Sequence, residues 1–165
     1  MDGQSALLRL TTTFGGRIIE THAYRGDHTA VVERSALLDV LRFCRDEADL
    51  GFDFLMDLTS VDYLKYPGRE FGPRFEVVYH LYSLAHNHRL RLKVRVEEDD
   101  ARVPSAVPLW PVANWFEREV WDMFGIRFDG HPDLRRLLMY EEFQGHPLRK
   151  DYPVNKRQPL IGPKN

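Results

Sequence analysis

The sequence is poor in the residue that most often holds inorganic cofactors. Among its 165 residues Cys44 is the one cysteine. A single thiol cannot form an internal disulfide, and it does not supply the several thiolates that iron–sulfur clusters and structural zinc sites require. The composition therefore excludes a disulfide-stapled fold, argues against a resident metal cluster and is compatible with a reducing compartment.

Long apolar runs are also missing. No stretch approaches the roughly 20 apolar residues that span a bilayer, and no apolar segment follows a basic start as in a signal peptide. The net charge is only −2 and the pI about 6.4, which argues against nucleic acid or an anionic membrane as the main partner. If the protein works at a membrane, we expect other proteins to hold it there.

Motifs for catalysis are absent as well. The sequence contains no G-x-G-x-x-G, Walker loop or G-x-S-x-G. Asp53 and Asp57 would share a strand face about 13 Å apart, at about 3.3 Å per residue, too far for the carboxylate pair of a retaining glycosidase. His86 and His88 lack metal-ligand spacing and are interpreted as exposed turn residues. We therefore assign no catalytic, cofactor-binding or metal residue, and a metal-dependent hydrolase stays an alternative.

The residues that are present predict one domain of α+β class. Hydrophobic residues make up 43% of the chain, enough for a core. We predict a mixed β-sheet with helices packed on one face, followed by an extended C-terminal arm. The patterns that indicate these elements are helical at 4–13 and 35–47, and strand-like at 17–22, 29–32, 52–58, 75–83 and 89–96.

The best-defined helix is predicted for Val112–Phe124, with Gly125 as the left-handed residue after its end. One side of the helical wheel is an apolar stripe, and the opposite side carries Asn114, Glu117, Arg118, Trp121 and Asp122. We expect that polar side to be exposed. Glu119 falls at the edge of the apolar stripe, so it is a candidate for a partly buried carboxylate paired with Arg135 or Arg136.

The last part of the chain is predicted to lack regular structure. Four of the ten prolines lie in residues 145–165, which carry a net charge of +4. Prolines at this density exclude a helix, and few apolar residues are present to pack inward. We predict a compact α/β domain at 1–128 and an irregular, extended segment at 129–165 that docks on partner subunits. For 145–165 we expect order only against those partners.

A basic strand offers a rival interpretation. Arg89, Arg91, Lys93 and Arg95 share one face and could grip nucleic acid. The strand carries no interleaved aromatic residues for base stacking, and four acids follow at 97–100. A solvated or partner-facing sheet surface is therefore favoured, and a nucleic-acid-binding module is kept as the alternative.

One long segment resembles a known family. The stretches EREVWDMFGI, HPDLRRLLM and GHPLRKDYP within residues 114–153 are similar, at this spacing, to the signature of the thirty-kilodalton subunit of respiratory complex I, which in bacteria is the C subunit. The upstream DLTSVDYL (57–64) and VPSAVPLWPVANWFERE (103–119) resemble the same family. Equivalent subunits occur in ferredoxin-linked and hydrogenase-type relatives, and the sequence leaves that choice open.

The resemblance implies a structural role and no cofactor. It implies a peripheral subunit on the cytoplasmic face of the bacterial inner membrane, beside the quinone-pocket subunit (D) and the small iron–sulfur subunit (B). Electrons from NADH would pass through FMN and iron–sulfur clusters of other subunits to quinone. The residues that we expect at the partner interface are Glu117, Arg118, Trp121, Asp122, His131, Arg135, Arg136, His146, Arg149, Lys150, Asp151 and Tyr152.

Overall fold

The protein contains a mixed sheet, three helices and a long irregular segment. The computed structural model describes residues 2–69 and 72–159. In this part of the chain the helices are α1 (Gly3–Phe14), α2 (Leu37–Asp46) and α3 (Ala113–Phe124). The strands are β1 (Ile18–Tyr24), β2 (Asp27–Val32), β3 (Phe54–Asp62), β4 (Phe75–Ser83), β5 (His88–Val96), β6 (Arg102–Pro104) and β7 (Arg127–Asp129).

Five strands form the main sheet in the order β1-β2-β5-β4-β3. Strands β2 and β5 are parallel, whereas the other three pairs are antiparallel. The parallel pair requires the chain to cross over between β2 and β5, and that crossover contains α2, β3 and β4. Strands β6 and β7 pair in parallel as a small second sheet.

The β1–β2 hairpin closes through a two-residue turn. Arg25 and Gly26 both have positive φ, 52° and 87°. Two consecutive positive φ values define the type I′ turn, whose twist matches that of paired strands. The prediction of a turn at Gly26 is therefore correct. The two strands end at Tyr24 and begin at Asp27, closer to the turn than the predicted ends at residues 22 and 29.

The β4–β5 hairpin corrects one expectation about its histidines. His86 lies in the turn as predicted, with Nε2 3.0 Å from the carbonyl of Ala48. His88, also predicted to be an exposed turn residue, instead begins β5 and is only 9% exposed. Its ring stacks on Phe52 with the centroids 4.6 Å apart, and its Nε2 lies 3.1 Å from the carbonyl of Leu50. His88 is therefore a packed residue of the domain.

The core lies between the sheet and the helices. The alternation in β5 places Leu90, Leu92, Val94 and Val96 in this core, each at most 2% exposed. Helix α1 packs on β2 and β5, and α3 packs on β3. The predicted α+β class, with a mixed sheet and helices on one face, is confirmed. Among the described residues, no helix is long and apolar enough to cross a membrane.

Helix α3 ends as the sequence predicts. Gly125 has φ 78°, and its N–H donates to the carbonyl of Trp121 at 2.8 Å. Glycine reaches this left-handed conformation without the steric cost that a Cβ would add. A Cβ at this position would lie 2.6 Å from the ring of His146 and 2.8 Å from the guanidinium of Arg149. The glycine therefore ends the helix and also makes room for the later segment.

Replacing Gly125 tests that contact. Gly130→Ala is the matched control, because Gly130 has φ 84° with no atom within 4 Å of a Cβ. We expect Gly130→Ala to lower the free energy of unfolding by about 1–2 kcal/mol through backbone strain alone. Gly125→Ala should lower it at least twice as much, because His146 and Arg149 must also move. Urea unfolding measures both, and equal losses would contradict the contact.

Candidate partner interface

Residues 130–159, here called the C-terminal segment, contain neither helix nor strand. The segment runs along α3 and is tied to it by hydrogen bonds. Arg118 donates from Nε to the carbonyl of Arg135 at 3.2 Å and from Nη2 to that of Arg136 at 3.1 Å. Farther on, the N–H of Leu148 donates to the carbonyl of Met123 at 3.1 Å. Contacts with the helix thus replace the missing regular structure.

Asp122 is the main anchor of the segment. Its side chain is fully buried, and its Oδ2 accepts the N–H groups of Leu137, Leu138 and Met139 at 3.0, 2.8 and 2.9 Å. Arg136 binds Oδ1 at 2.6 Å. Burial raises the pKa of Asp122, but the hydrogen bonds outweigh burial and hold the pKa below its ordinary value. The carboxylate therefore stays ionised while it shapes the loop.

Arg136 extends this anchor to the next turn of the segment. Its guanidinium donates to the carbonyl of Phe143 at 2.7 Å and to that of Gly145 at 3.2 Å. It also lies over the rings of Trp121 and Phe143, 5.8 and 5.5 Å from their centroids. One planar cation thereby joins three stretches of chain.

A second anchor lies at the end of β3 and the start of β4. Arg74, 8% exposed, donates to both oxygens of the buried Asp62 at 3.1 and 2.8 Å. The same guanidinium binds Asp151 at 2.7 Å and also pairs with Glu98. The N–H of Lys150 donates to Asp62 at 2.8 Å. The segment is therefore fastened to the sheet as well as to α3.

The end of α3 supplies a third set of contacts. Nδ1 of His146 lies 3.0 Å from the carbonyl of Asp122, and Nε of Arg149 donates to the carbonyl of Phe124 at 2.6 Å. These partners satisfy carbonyls that the end of a helix leaves unpaired. Burial lowers the pKa of His146, which favours its neutral form.

The structure corrects the predicted orientation of α3. Glu117, Arg118 and Asp122, placed by the sequence on an exposed face, are 0%, 9% and 0% exposed. Glu119, the predicted buried-pair residue, is exposed, so that prediction is wrong. The cause is that the C-terminal segment covers Arg118 and Asp122, whereas Glu117 is covered by the loop at Ser105 and Ala106. Arg136, one of the two expected partners of Glu119, binds Asp122 instead.

The role of the C-terminal segment also needs correction in part. Residues 145–165 are predicted to order only against partner subunits, yet His146, Arg149 and Asp151 contact the domain itself. Beyond Tyr152 the side chains of residues 153–157 are all exposed. The remainder of that prediction, on residues 160–165, lies outside the described part of the chain. The boundary at 128/129 stays a prediction.

Glu117 forms a separate buried site. Ser105 donates its hydroxyl to Glu117 at 2.7 Å, and the N–H of Ala106 donates at 2.6 Å. Burial raises the pKa of Glu117 to about 7, although both hydrogen bonds oppose the rise. The hydroxyl of Tyr79 is buried without a hydrogen-bond partner in the described structure, and its pKa is raised by burial and by the charge of Glu117. Glu117 is thus a carboxyl group whose proton affinity depends on folding.

The outer surface of this region is partly apolar. Trp115, Leu138 and Leu148 are 57%, 57% and 52% exposed, and Val154 is fully exposed. Sequence reasoning missed these residues and also missed Arg74, because no local pattern marks them. Among the predicted interface residues, three are exposed: Arg135, Lys150 and Asp151. Six are half-buried: Trp121, His131, Arg136, His146, Arg149 and Tyr152. His131 Nε2 lies 3.2 Å from the carbonyl of Asn114.

The structure gives no support to the two alternative interpretations. In the described ranges, no group of three His, Cys, Asp or Glu side chains is arranged to hold a metal ion. On the basic strand, Lys93 pairs with Glu76 at 3.0 Å, and Arg95 pairs with Glu20 at 2.6 Å. Acids of β1 and β4 thus neutralise two of the four cations that could otherwise bind nucleic acid.

The sequence is similar to a large set of bacterial relatives. The family model described as "Respiratory-chain NADH dehydrogenase, 30 Kd subunit" matches residues 30–158. The C subunit of the NADH-quinone oxidoreductase of Roseiflexus castenholzii is 48% identical over 96% of this chain and 88% of its own length. That of Geobacter sulfurreducens is 41% identical over 98% of this chain and 97% of its own length.

Two solved structures share the fold. The trypsin-resistant fragment (1–134) of Nqo5 has a TM-score of 0.70 and 35% identity, covering 80% of this chain and 99% of that chain. A chain of the membrane-bound sulfane sulfur reductase, an archaeal respiratory membrane complex, has a TM-score of 0.75 and 23% identity. It covers 93% of this chain and 86% of that chain, and at this identity it shows the fold alone.

Asp122→Asn tests the main anchor. The amide would keep one acceptor oxygen but place an NH₂ group against backbone N–H groups or Arg136. We expect a loss of about 3–5 kcal/mol in the free energy of unfolding, the range for breaking one side of a buried ion pair. Glu119→Gln, at an exposed position of the same helix, should change it by at most about 0.5 kcal/mol. Urea unfolding that gave equal values for both variants would contradict this account of Asp122.

Glu117 predicts a pH dependence of stability. Its pKa is about 7 in the folded chain against an ordinary value of 4.5, so the folded state binds more protons between these pH values. Its contribution to stability is therefore fully present below about pH 4.5 and is lost as pH rises through 7, by about 3 kcal/mol. The measurement is the difference in unfolding free energy between Glu117→Gln and wild type from pH 4 to 8. A difference that does not change with pH would refute the prediction.

Proposed function

The chain belongs to the 30 kDa subunit family of the respiratory-chain NADH dehydrogenase, and from this premise we propose that it is a structural subunit of the peripheral arm of a proton-translocating NADH:quinone oxidoreductase. In this proposal the chain carries no cofactor of its own. It supports the transfer of electrons from NADH, through FMN and iron–sulfur clusters of other subunits, to quinone. It associates with the cytoplasmic face of the bacterial inner membrane only through those subunits.

The observation that carries the proposal is the anchoring of the C-terminal segment by Asp122. A buried carboxylate that accepts three consecutive backbone N–H groups holds residues 137–139 in one shape. This buried charge therefore orders a surface loop rather than the wall of a cavity. A loop fixed before binding loses less conformational entropy when it docks, which favours association. The arrangement fits a docking element better than a catalytic one.

The surface beyond the anchors has the composition of a contact face. The exposed apolar residues Leu138 and Leu148 are close in sequence to the exposed cations Arg135 and Lys150. Interfaces commonly join apolar contacts with arginine and a polar rim. We assign the partners of this face as the quinone-pocket subunit and the small iron–sulfur subunit of the complex. Because Lys156 and Arg157 are exposed cations, we expect the surface of the partner that faces them to be acidic.

The relatives support the assignment of the chain to this kind of complex. Curated relatives of nearly the same length are named as the C subunit of NADH-quinone oxidoreductase. The fragment of Nqo5 that resists trypsin covers 80% of this chain, which is in keeping with a compact domain followed by a more accessible segment. We propose NADH as the electron donor of the complex because the curated relatives are named as subunits of an NADH-quinone oxidoreductase.

Two truncations separate docking from folding. Ending the chain after Tyr152 removes only the part that follows the anchors. We expect its melting temperature to change by less than about 2 °C, because few buried contacts are lost. Assembly of the complex, measured on a native gel, should fall at least tenfold. Normal assembly of this variant would contradict the docking role of residues 153–165.

Ending the chain after Phe143 is the matched control. This truncation also removes the contacts of His146, Arg149 and Asp151 with the domain. Each buried polar group left without a partner costs about 1–3 kcal/mol, so this variant should unfold several kcal/mol more easily. Equal stability of the two truncations would show that the contacts with Arg74 and α3 do not hold the segment.

A further inference from the structure

Strand β1 is one edge of the main sheet. In the described part of the chain it pairs only with β2. Its residues 19–24 are all exposed, and the strand contains neither lysine nor proline. Lysine and other charged residues, proline, β-bulges and covering loops are the usual means by which proteins protect a free edge from pairing. In β1 the irregularity in register lies between Ile18 and Glu20, and the charge of Glu20 is paired with Arg95, so residues 21–24 carry neither form of protection. This edge therefore retains the capacity to accept another strand.

The register shows which backbone groups are free to pair. Tyr24 faces Asp27 across the two-residue turn, so this pair is hydrogen-bonded. Because hydrogen-bonded and non-hydrogen-bonded pairs alternate in an antiparallel ladder, His22 also bonds to β2. Ala23, which lies between them, and Thr21, which precedes His22, are non-hydrogen-bonded positions and direct their N–H and C=O groups away from β2. The edge thus presents an alternating row of donors and acceptors.

A groove lies beside these same residues. It has a volume of about 360 Å³, and its lining includes Leu7, Leu8 and Thr11 of α1 together with Thr21 and Ala23 of β1. Leu8 is 68% exposed, so an apolar surface is open to solvent here. The small side chains of β1 leave space that apolar side chains of an added strand would fill. Helix α1 would form the floor of such a contact.

We propose that an extended segment of a neighbouring subunit adds to β1 as a sixth strand, with apolar residues at alternate positions facing Leu7 and Leu8. The alternating partial charges of the edge are complementary to an extended backbone, and a helix cannot match them because its own backbone groups are already paired. The other side of the added strand lies beside Glu20, which pairs with Arg95, so its remaining residues are polar. This inference rests on the proposed function, since it requires a complex.

Amide hydrogen exchange at single residues tests the proposal in the full chain and in the purified complex. In the free chain the N–H groups of Thr21 and Ala23 should exchange fast, and those of His22 and Tyr24 slowly. In the complex the exchange of Thr21 and Ala23 should slow at least 100-fold. Unchanged fast exchange in the complex would overturn the added strand and leave the proposed function intact. Failure of the chain to co-purify with any partner would overturn the proposed function itself.

A substitution gives an independent test. Thr21→Pro removes an N–H that β2 does not use and blocks the edge, whereas Thr12→Ala changes an exposed residue of α1 outside the groove. Both variants should retain the melting temperature of the wild type. Thr21→Pro should lower the yield of assembled complex at least fivefold, and Thr12→Ala should not. Equal yields, or protection of Thr21 and Ala23 by self-association of the free chain, would refute a neighbouring subunit as the occupant.

Discussion

The buried carboxylate of Asp122 is the interaction on which the C-terminal half of the structure depends. An ionised group excluded from water is tolerated only when hydrogen bonds replace its hydration. Here the replacement comes from three backbone N–H groups and Arg136, all supplied by one later stretch of chain. Helix α3 and that stretch therefore stabilise each other: the stretch replaces the hydration of Asp122, and Asp122 fixes the shape of the stretch.

The same principle recurs at the other end of the segment. Arg74 is held by the buried Asp62 and shares its remaining donors with the exposed Asp151 and Glu98. The first pair belongs to the core of the domain and the others belong to its periphery. Charged groups at the boundary between core and surface thus hold the C-terminal segment in place. The segment needs them because it forms no backbone hydrogen bonds of a helix or a sheet.

Sequence patterns predicted the fold where a residue's environment is local. The strict alternation of β5 and the glycine after α3 each identify their element, since strand pleat and left-handed φ depend on neighbouring residues alone. The wheel of α3 placed Glu117 and Asp122 on one polar side but could not show that this side is buried, by Ser105 and Ala106 at Glu117 and by residues 136–139 at Asp122. The covering segment has no period, so its position follows from long-range pairs. The acids of α3 and the later Arg135–Arg136 pair were the available signal.

The contacts of the C-terminal segment are arranged in series along the chain. From the C-terminus inward come Gln158 with Gln144, Asp151 with Arg74, Arg149 with Phe124 and finally the loop on Asp122. No hydrogen-bonded ladder links one fastening to the next in these described residues, unlike in a sheet strand. A pulling force on the tail would therefore release them one at a time, from the weakest and most exposed inward. The contacts of the segment are thus mechanically independent. A partner that binds the tail can replace the outer contacts, such as that of Gln158 with Gln144, without destabilising the domain.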